Sequence, residues 1–111
     1  MSSTTLSRGN ILEQFVVGPS LTPAALTTAS TQSLQSFAIP GLKSTDIVTV
    51  LQFNGTQTKD VIISNADVVT DNSLTINFQN TSGGATAITP AAGTYYVKVH
   101  RVEGPVPVNA A

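Results

Sequence analysis

Alternation of apolar and polar positions is the strongest signal in this chain, and it predicts three β-strands. From residue 74 to 78, and again from 95 to 99, every second residue is apolar. A period of two is typical of a strand with one face on a core and the other in solvent. Between Asp46 and Phe53 both alternating sets are largely apolar. This segment is therefore predicted to be a central strand covered on both faces.

Weaker alternation predicts further strands, separated by Pro and Gly. They span Ile11 to Val17, Gln32 to Ile39, Val61 to Val69 and Ala85 to Thr89. The one helical alternative is a short helix over Pro23 to Ala29, because Thr22 suits its N-cap and Pro suits the first helical position. Seven or eight short strands without crossover helices predict an all-β fold, an antiparallel two-sheet sandwich of jelly-roll type.

The dipeptide Asn54-Gly55 presents a conflict between local and longer-range signals. Asn-Gly is a strong signal for a two-residue hairpin turn, because both residues tolerate positive φ. A tight hairpin at this position would leave the returning strand without an apolar face. The sequence therefore predicts a longer polar loop from Asn54 to Asp60, with pairing to the preceding strand resumed at Val61.

Length and end composition predict one domain with two arms. A chain of 111 residues suits a single core. All predicted strands fall within residues 11–103, whereas residues 1–10 are rich in Ser and Thr, and Pro alternates with Val in residues 104–111. Such segments are predicted to be extended arms, which either fray or lie across a neighbouring subunit.

The charge content excludes some partners. Charged residues make up 10% of the chain, and the five Lys and Arg are scattered, which argues against nucleic-acid binding. No apolar run has the length of a membrane span or of a signal-peptide core, so a protein made in the cytoplasm without a secretion tag is expected. A neutral, hydroxyl-rich surface suits a protein that works inside an assembly.

Residues that could carry chemistry are few. The single histidine, His100, falls on the polar side of a predicted strand, and no Gly-x-Ser-x-Gly motif accompanies it. Asp46 precedes a strand and is interpreted as a turn cap. Asp67, Asp71 and Asn72 could offer oxygen ligands to calcium, although their spacing is also that of an ordinary turn. No catalytic residue, metal, cofactor or small-molecule substrate is predicted.

Several short motifs occur in an order that resembles small capsid decoration, or cement, proteins of tailed bacteriophages. The motifs are Gly9-Asn-Ile-Leu12, Val17-Gly-Pro19, Pro40-Gly-Leu-Lys43 with Asp46, Phe78-x-Asn80-Thr81, Ile88-Thr-Pro90 and Tyr95-x-Val97-x-Val99-x-Arg101. The resemblance covers residues 9–101. It implies an all-β protein on the exterior of the capsid that bridges neighbouring major capsid subunits without catalysis. The family supplies no catalytic residue.

The segments from Arg8 to Phe15 and from Val102 to Val108 are the expected contact regions for the major capsid protein and for self-association as a dimer or trimer. The candidate contact residues are Arg8, Ile11, Leu12, Phe15, Val102, Val106 and Val108. The alternative is a tail, fibre or adhesin module that binds a host glycan or protein through the tips Asn54 to Asp60 and Thr81 to Ala87. That alternative ranks second, because these tips lack the Trp and Arg anchors that dominate binding hot spots. A small hydrolase dependent on His100 ranks third.

Overall fold

A computed structural model describes residues 10–26, 32–82 and 87–109 of the chain. Within these ranges the secondary structure consists of strands, and there is no helix. The strands are β1 (Ile11–Val17), β2 (Ser20–Leu21), β3 (Gln32–Ala38), β4 (Ile47–Phe53), β5 (Val61–Asp67), β6 (Ser73–Asn80) and β7 (Gly93–Val102). The predicted all-β class is confirmed.

The strands form two antiparallel sheets. In the first sheet, β7 pairs with β4 on one edge and with β1 and β2 on the other. Val17 pairs with Val97 and Ser20 with Thr94, so β2 continues the register of β1. The second sheet has the order β3-β6-β5. These pairings match strands C-F and B-E-D of immunoglobulin-type sandwiches, with β1 in the position of strand G.

The core lies between the inner faces of the two central strands. Six alternating hydrophobic side chains of β6 and β7 are completely buried, and they are Leu74, Ile76, Phe78, Tyr95, Val97 and Val99. Burial of a side chain of this size contributes roughly 1.5–3 kcal/mol. The predicted two-sheet sandwich is therefore confirmed, and the two clearest alternating segments of the sequence supply its centre.

The prediction that Asp46 to Phe53 forms a central strand is wrong. β4 pairs with β7 alone within the described chain, and its outward residues Ile47 and Leu51 are 46% and 51% exposed. An irregularity between Val50 and Gln52 shifts the alternation, so that Phe53 lies opposite Tyr95 with the ring centroids 4.9 Å apart. The second apolar set of this strand therefore faces outward instead of a further layer.

Other local predictions have mixed outcomes. The loop from Asn54 to Asp60 is confirmed, and β5 begins at Val61 but pairs with β6 instead of β4. The helical alternative over Pro23 to Ala29 is not found over its described residues: residues 23–25 are irregular, and Leu26 forms a β-bridge with Ile88. Residues 27–29 lie outside the described ranges. Of the strand predicted at 85–89, residues 87–89 are described and contribute only this bridge.

Candidate functional site

The outer face of the first sheet carries a cluster of exposed apolar side chains. Five of the ten exposed large hydrophobic residues in the described ranges belong to its two edge strands. We call this surface the first-sheet face, and it comprises Ile11, Leu12, Val16, Ile47 and Leu51 with Tyr96, Lys98 and His100 of the central strand. The register sets Val16 opposite Lys98 and Ile47 opposite His100.

The outer face of the second sheet has a different character. Its side chains are mostly hydroxyls and amides that bond to one another: the Ser36 and Thr75 hydroxyls are 3.1 Å apart, and Asn77 Nδ2 donates to Gln32 Oε1 at 3.0 Å. Its exposed large hydrophobic residues are Leu34 and Ile62. The two outer faces therefore differ in polarity, and concentrated exposed apolar surface marks interaction sites.

His100 lies half-buried on the first-sheet face, as its position in the alternation predicted. Its Nε2 atom is buried and has no hydrogen-bond partner among the described residues. Its cross-strand neighbours are Gln14 and Ile47. Neither of these two neighbours is a nucleophile or a carboxylate.

Arg101, at the end of β7, fixes one end of the sandwich. Its guanidinium donates to both carboxylate oxygens of Asp46, at 3.0 and 2.8 Å, and to the Gly41 carbonyl at 3.0 Å. The guanidinium also lies 5.3 Å from the ring centroid of Phe15. Asp46 additionally accepts from the Lys43 backbone N–H at 2.9 Å, so its predicted role as a turn cap is confirmed. The hydrogen bond from Arg101 lowers the pKa of Asp46.

Two of the three side chains considered as calcium ligands accept hydrogen bonds from backbone N–H groups. Asp71 Oδ1 accepts from the Ser44 N–H at 2.9 Å, and Asn72 Oδ1 accepts from the Gly41 N–H at 2.8 Å. Asp67 lies on β5 opposite Thr75. The described residues contain no group of three or more His, Asp or Glu side chains arranged to hold a metal ion. Asp71 and Asn72 therefore connect two loops at the Arg101 end.

At the opposite end, Tyr95 and Gln57 hold the loop that the adhesin alternative invokes. The Tyr95 hydroxyl donates to the Ala91 carbonyl at 2.6 Å, a bond similar to the tyrosine corner of Greek-key sandwiches. Gln57 donates to the Tyr95 hydroxyl at 3.0 Å and accepts from the Ala91 N–H at 2.7 Å. Burial raises the pKa of Tyr95, which keeps the hydroxyl protonated as a donor. The side-chain amide of Gln57 therefore forms its hydrogen bonds within the chain.

A groove runs between β4 and β5 at one side of the sandwich. It has a volume of about 200 Å³, and its lining is formed by Val48, Thr49, Val50, Ile63, Ser64, Asn65 and Ala66. No lining residue is charged. The strand register places Val48, Val50, Ile63 and Ala66 on the inner faces of their sheets, so the groove opens towards the core.

The structure separates the predicted contact residues into three groups. Ile11 and Leu12 are exposed on β1, and Val106 and Val108 are exposed beyond the end of β7. Phe15 is half-buried and packs against the core, and Val102 is half-buried and pairs with Ile11. Arg8 lies outside the described residues.

Sequence reasoning missed several residues of the first-sheet face. Val16, Ile47 and Leu51 are 54%, 46% and 51% exposed. The sequence does show that Ile47 and Leu51 belong to the second apolar set of β4. That set was predicted to be buried, so these residues were not predicted as contact residues.

Comparison of the chain with protein-family models, with curated protein sequences and with solved structures finds no match. In the part of the chain that the structure describes, no helix is long and apolar enough to cross a membrane.

Proposed function

We propose that this protein is a non-enzymatic structural component of a virion, which binds the outer surface of a phage capsid and bridges neighbouring major capsid subunits. The observation that carries the proposal is the concentration of exposed apolar side chains on the first-sheet face. Exposed apolar patches rimmed by polar residues are typical of protein–protein interfaces. Because the order of short motifs in the sequence resembles that of capsid decoration proteins, we propose the capsid as the partner.

The size of this face favours many repeated contacts over one strong contact. Three strands of about seven residues project an area of roughly 350 Å², at about 3.4 Å per residue and 4.8 Å per strand. A stable pairwise interface buries about 800 Å² on each partner. One such face is therefore too small for tight binding by itself. A capsid shell offers the same binding site many times. When neighbouring copies of the protein are linked to one another, avidity compensates for the weakness of each single contact.

The charge of the face defines what the capsid surface must offer. Lys98 is the one charged residue among the eight that define the first-sheet face, and it lies between Val16 and Thr49 in the strand register. A complementary partner presents a carboxylate within an apolar surface, because a buried ammonium group requires an opposite charge.

The copy number per particle tests the proposal. Purified virions of the phage that encodes this chain are digested, and the amount of this protein is measured by quantitative mass spectrometry relative to the major capsid protein. A copy number comparable to that of the capsid protein is expected. A few copies per particle would assign the protein to the tail or a fibre, in agreement with the recognition-module alternative. Absence from the particle would overturn the virion proposal.

A further inference from the structure

The dipeptide Asn54-Gly55, the one Asn-Gly pair of the chain, lies in an exposed loop. β4 ends at Phe53, residues 54–55 form a bend, and residues 56–58 are irregular. Both residues of the dipeptide are exposed. The Asn54 side chain forms no hydrogen bond within the part of the chain that the structure describes. Its carboxamide is therefore open to solvent and free to rotate.

An asparagine that precedes a glycine can react with its own backbone. The backbone nitrogen of the glycine bonds to the side-chain Cγ, the Cγ–Nδ2 bond breaks, and ammonia leaves with the proton that the backbone nitrogen has lost. Water then opens the five-membered ring at either carbonyl, which leaves an aspartate or an isoaspartate. A side chain on the second residue obstructs ring closure, and glycine has none. Asparagine is therefore among the thermolabile residues.

The backbone around Gly55 sets the conditions for this reaction. The φ angle of Gly55 is 140°, a conformation that suits glycine. The Gly55 N–H donates to the Phe53 carbonyl at 3.0 Å, so this bond must open before the nitrogen reacts. Because Gly55 is exposed, water replaces the bond at little net cost. The bond from the Asn54 N–H to the Thr94 carbonyl, at 2.8 Å, fixes the end of β4 and does not have to open.

Four other asparagines are held by the fold, and none of them precedes a glycine. Asn72 and Asn80 each accept a backbone N–H with the side-chain oxygen, at 2.8 and 2.9 Å. Asn65 and Asn77 pair with each other across β5 and β6. At such positions the side-chain Cγ and the following nitrogen approach each other only after local unfolding. Asn54 therefore combines a reactive dipeptide with a position that requires no unfolding.

We infer that Asn54 is a site of spontaneous deamidation in the folded protein, with water as the co-reactant and without an enzyme. Each event adds one negative charge to a chain whose formal net charge is −1. The isoaspartate product also lengthens the main chain by one carbon between residues 54 and 55, beyond the last residue of β4. The charge and the extra carbon thus enter the loop and leave the strand pairing in place. This inference goes beyond the proposed function, because it concerns a change in the chain itself and requires no capsid.

Peptide mass spectrometry of the full chain tests the inference. Trypsin cleaves after Lys43 and Lys59, so one peptide reports the state of Asn54. The chain is incubated at one pH and temperature, either folded or unfolded in guanidinium chloride. The folded rate at Asn54 is expected to lie within about tenfold of the unfolded rate, which corresponds to an opening free energy below about 1.4 kcal/mol. Asn54→Gln prevents formation of the five-membered ring, and its peptide is expected to keep its mass.

Ser73→Gly is the matched control, because it creates a second Asn-Gly dipeptide at an asparagine that the fold holds. The Asn72 side chain keeps its bond to the Gly41 N–H, and circular dichroism establishes that the variant has kept its β-structure. Its folded rate at Asn72 is expected to fall more than about tenfold below the unfolded rate.

Three results would each overturn the inference. The first is a folded rate at Asn54 of the wild-type chain that lies more than about tenfold below the unfolded rate. The second is equal protection of Asn54 and Asn72 in the folded Ser73→Gly variant. The third is an unchanged mass shift in the Asn54→Gln peptide. If Ser73→Gly does not fold, the wild-type ratio of folded to unfolded rates decides the question by itself.

Discussion

Arg101 and Asp46 form a two-pronged ion pair across 55 residues of sequence, with Nε to Oδ1 at 3.0 Å and Nη2 to Oδ2 at 2.8 Å. The Asp46 side chain is fully buried, whereas Arg101 keeps 24% of its side chain exposed. Parallel hydrogen bonds of this kind fix geometry as well as charge. The pair therefore connects the end of β7 to the residue that precedes β4, and it holds β4 and β7 in register.

The first prediction concerns acid stability. The pKa of Asp46 is lowered from 3.8 in the folded protein, mainly by the Arg101 hydrogen bond. The ionised carboxylate therefore stabilises the fold fully above the unfolded pKa, and this contribution is lost as the pH falls through the lower, folded pKa. We expect Asp46→Asn to cost about 1–3 kcal/mol at pH 7 and to reduce the fall in stability on acidification.

Urea unfolding across a pH series measures this effect. Asp67→Asn is the control, because Asp67 is an exposed carboxylate on the second sheet. If the Asp46→Asn and wild-type proteins lost the same stability between neutral and acidic pH, the ion pair would not be the source of that dependence.

The second prediction concerns Tyr95. Tyr95→Phe removes the donor to the Ala91 carbonyl and the acceptor of the Gln57 amide. Loss of these partly buried bonds is expected to cost about 1–3 kcal/mol, which lowers the unfolding temperature by roughly 4 °C or more in a domain of this size. Tyr96→Phe is the control, because Tyr96 lies on the outer side of the same strand. Equal melting temperatures for the two variants, measured by circular dichroism, would contradict the prediction.

The third prediction concerns His100. Its buried Nε2 atom has no hydrogen-bond partner among the described residues. Replacing an unsatisfied polar group with an apolar group of similar shape is neutral or stabilising. We therefore expect His100→Phe to unfold at the same temperature as the wild type or at a higher one. A clear loss of stability by calorimetry would show that the imidazole makes a stabilising interaction.

The fourth prediction tests the first-sheet face as the capsid contact. Val16→Ser with Leu51→Ser is expected to abolish co-sedimentation with capsids that lack this protein, because it removes exposed apolar side chains from both edge strands. Leu34→Ser with Ile62→Ser makes the same chemical change on the second sheet and is expected to leave binding intact. Equal binding by the two double variants would place the contact elsewhere.

The sequence determined where the strands lie along the chain. It did not determine which of them are central strands and which are edge strands. β1 begins and ends at the predicted residues Ile11 and Val17, and the loop from Asn54 to Asp60 is also as predicted. Both depend on local patterns: apolar residues at every second position, and turn residues between them. The role of Asp46 as a turn cap is local in the same sense, because its backbone partner Lys43 is three residues away.

The tertiary structure alone decided which strands pair and which faces stay exposed. Two apolar sets on one strand are compatible with a central strand or with an edge strand that leaves one apolar set exposed, and the pairing of β4 with β7 decided for the latter. Arg101 and the carboxylate of Asp46 are brought together by that same pairing. Such contacts join residues far apart in sequence, and their free energy depends on the packing of the whole sandwich. No local pattern specifies them.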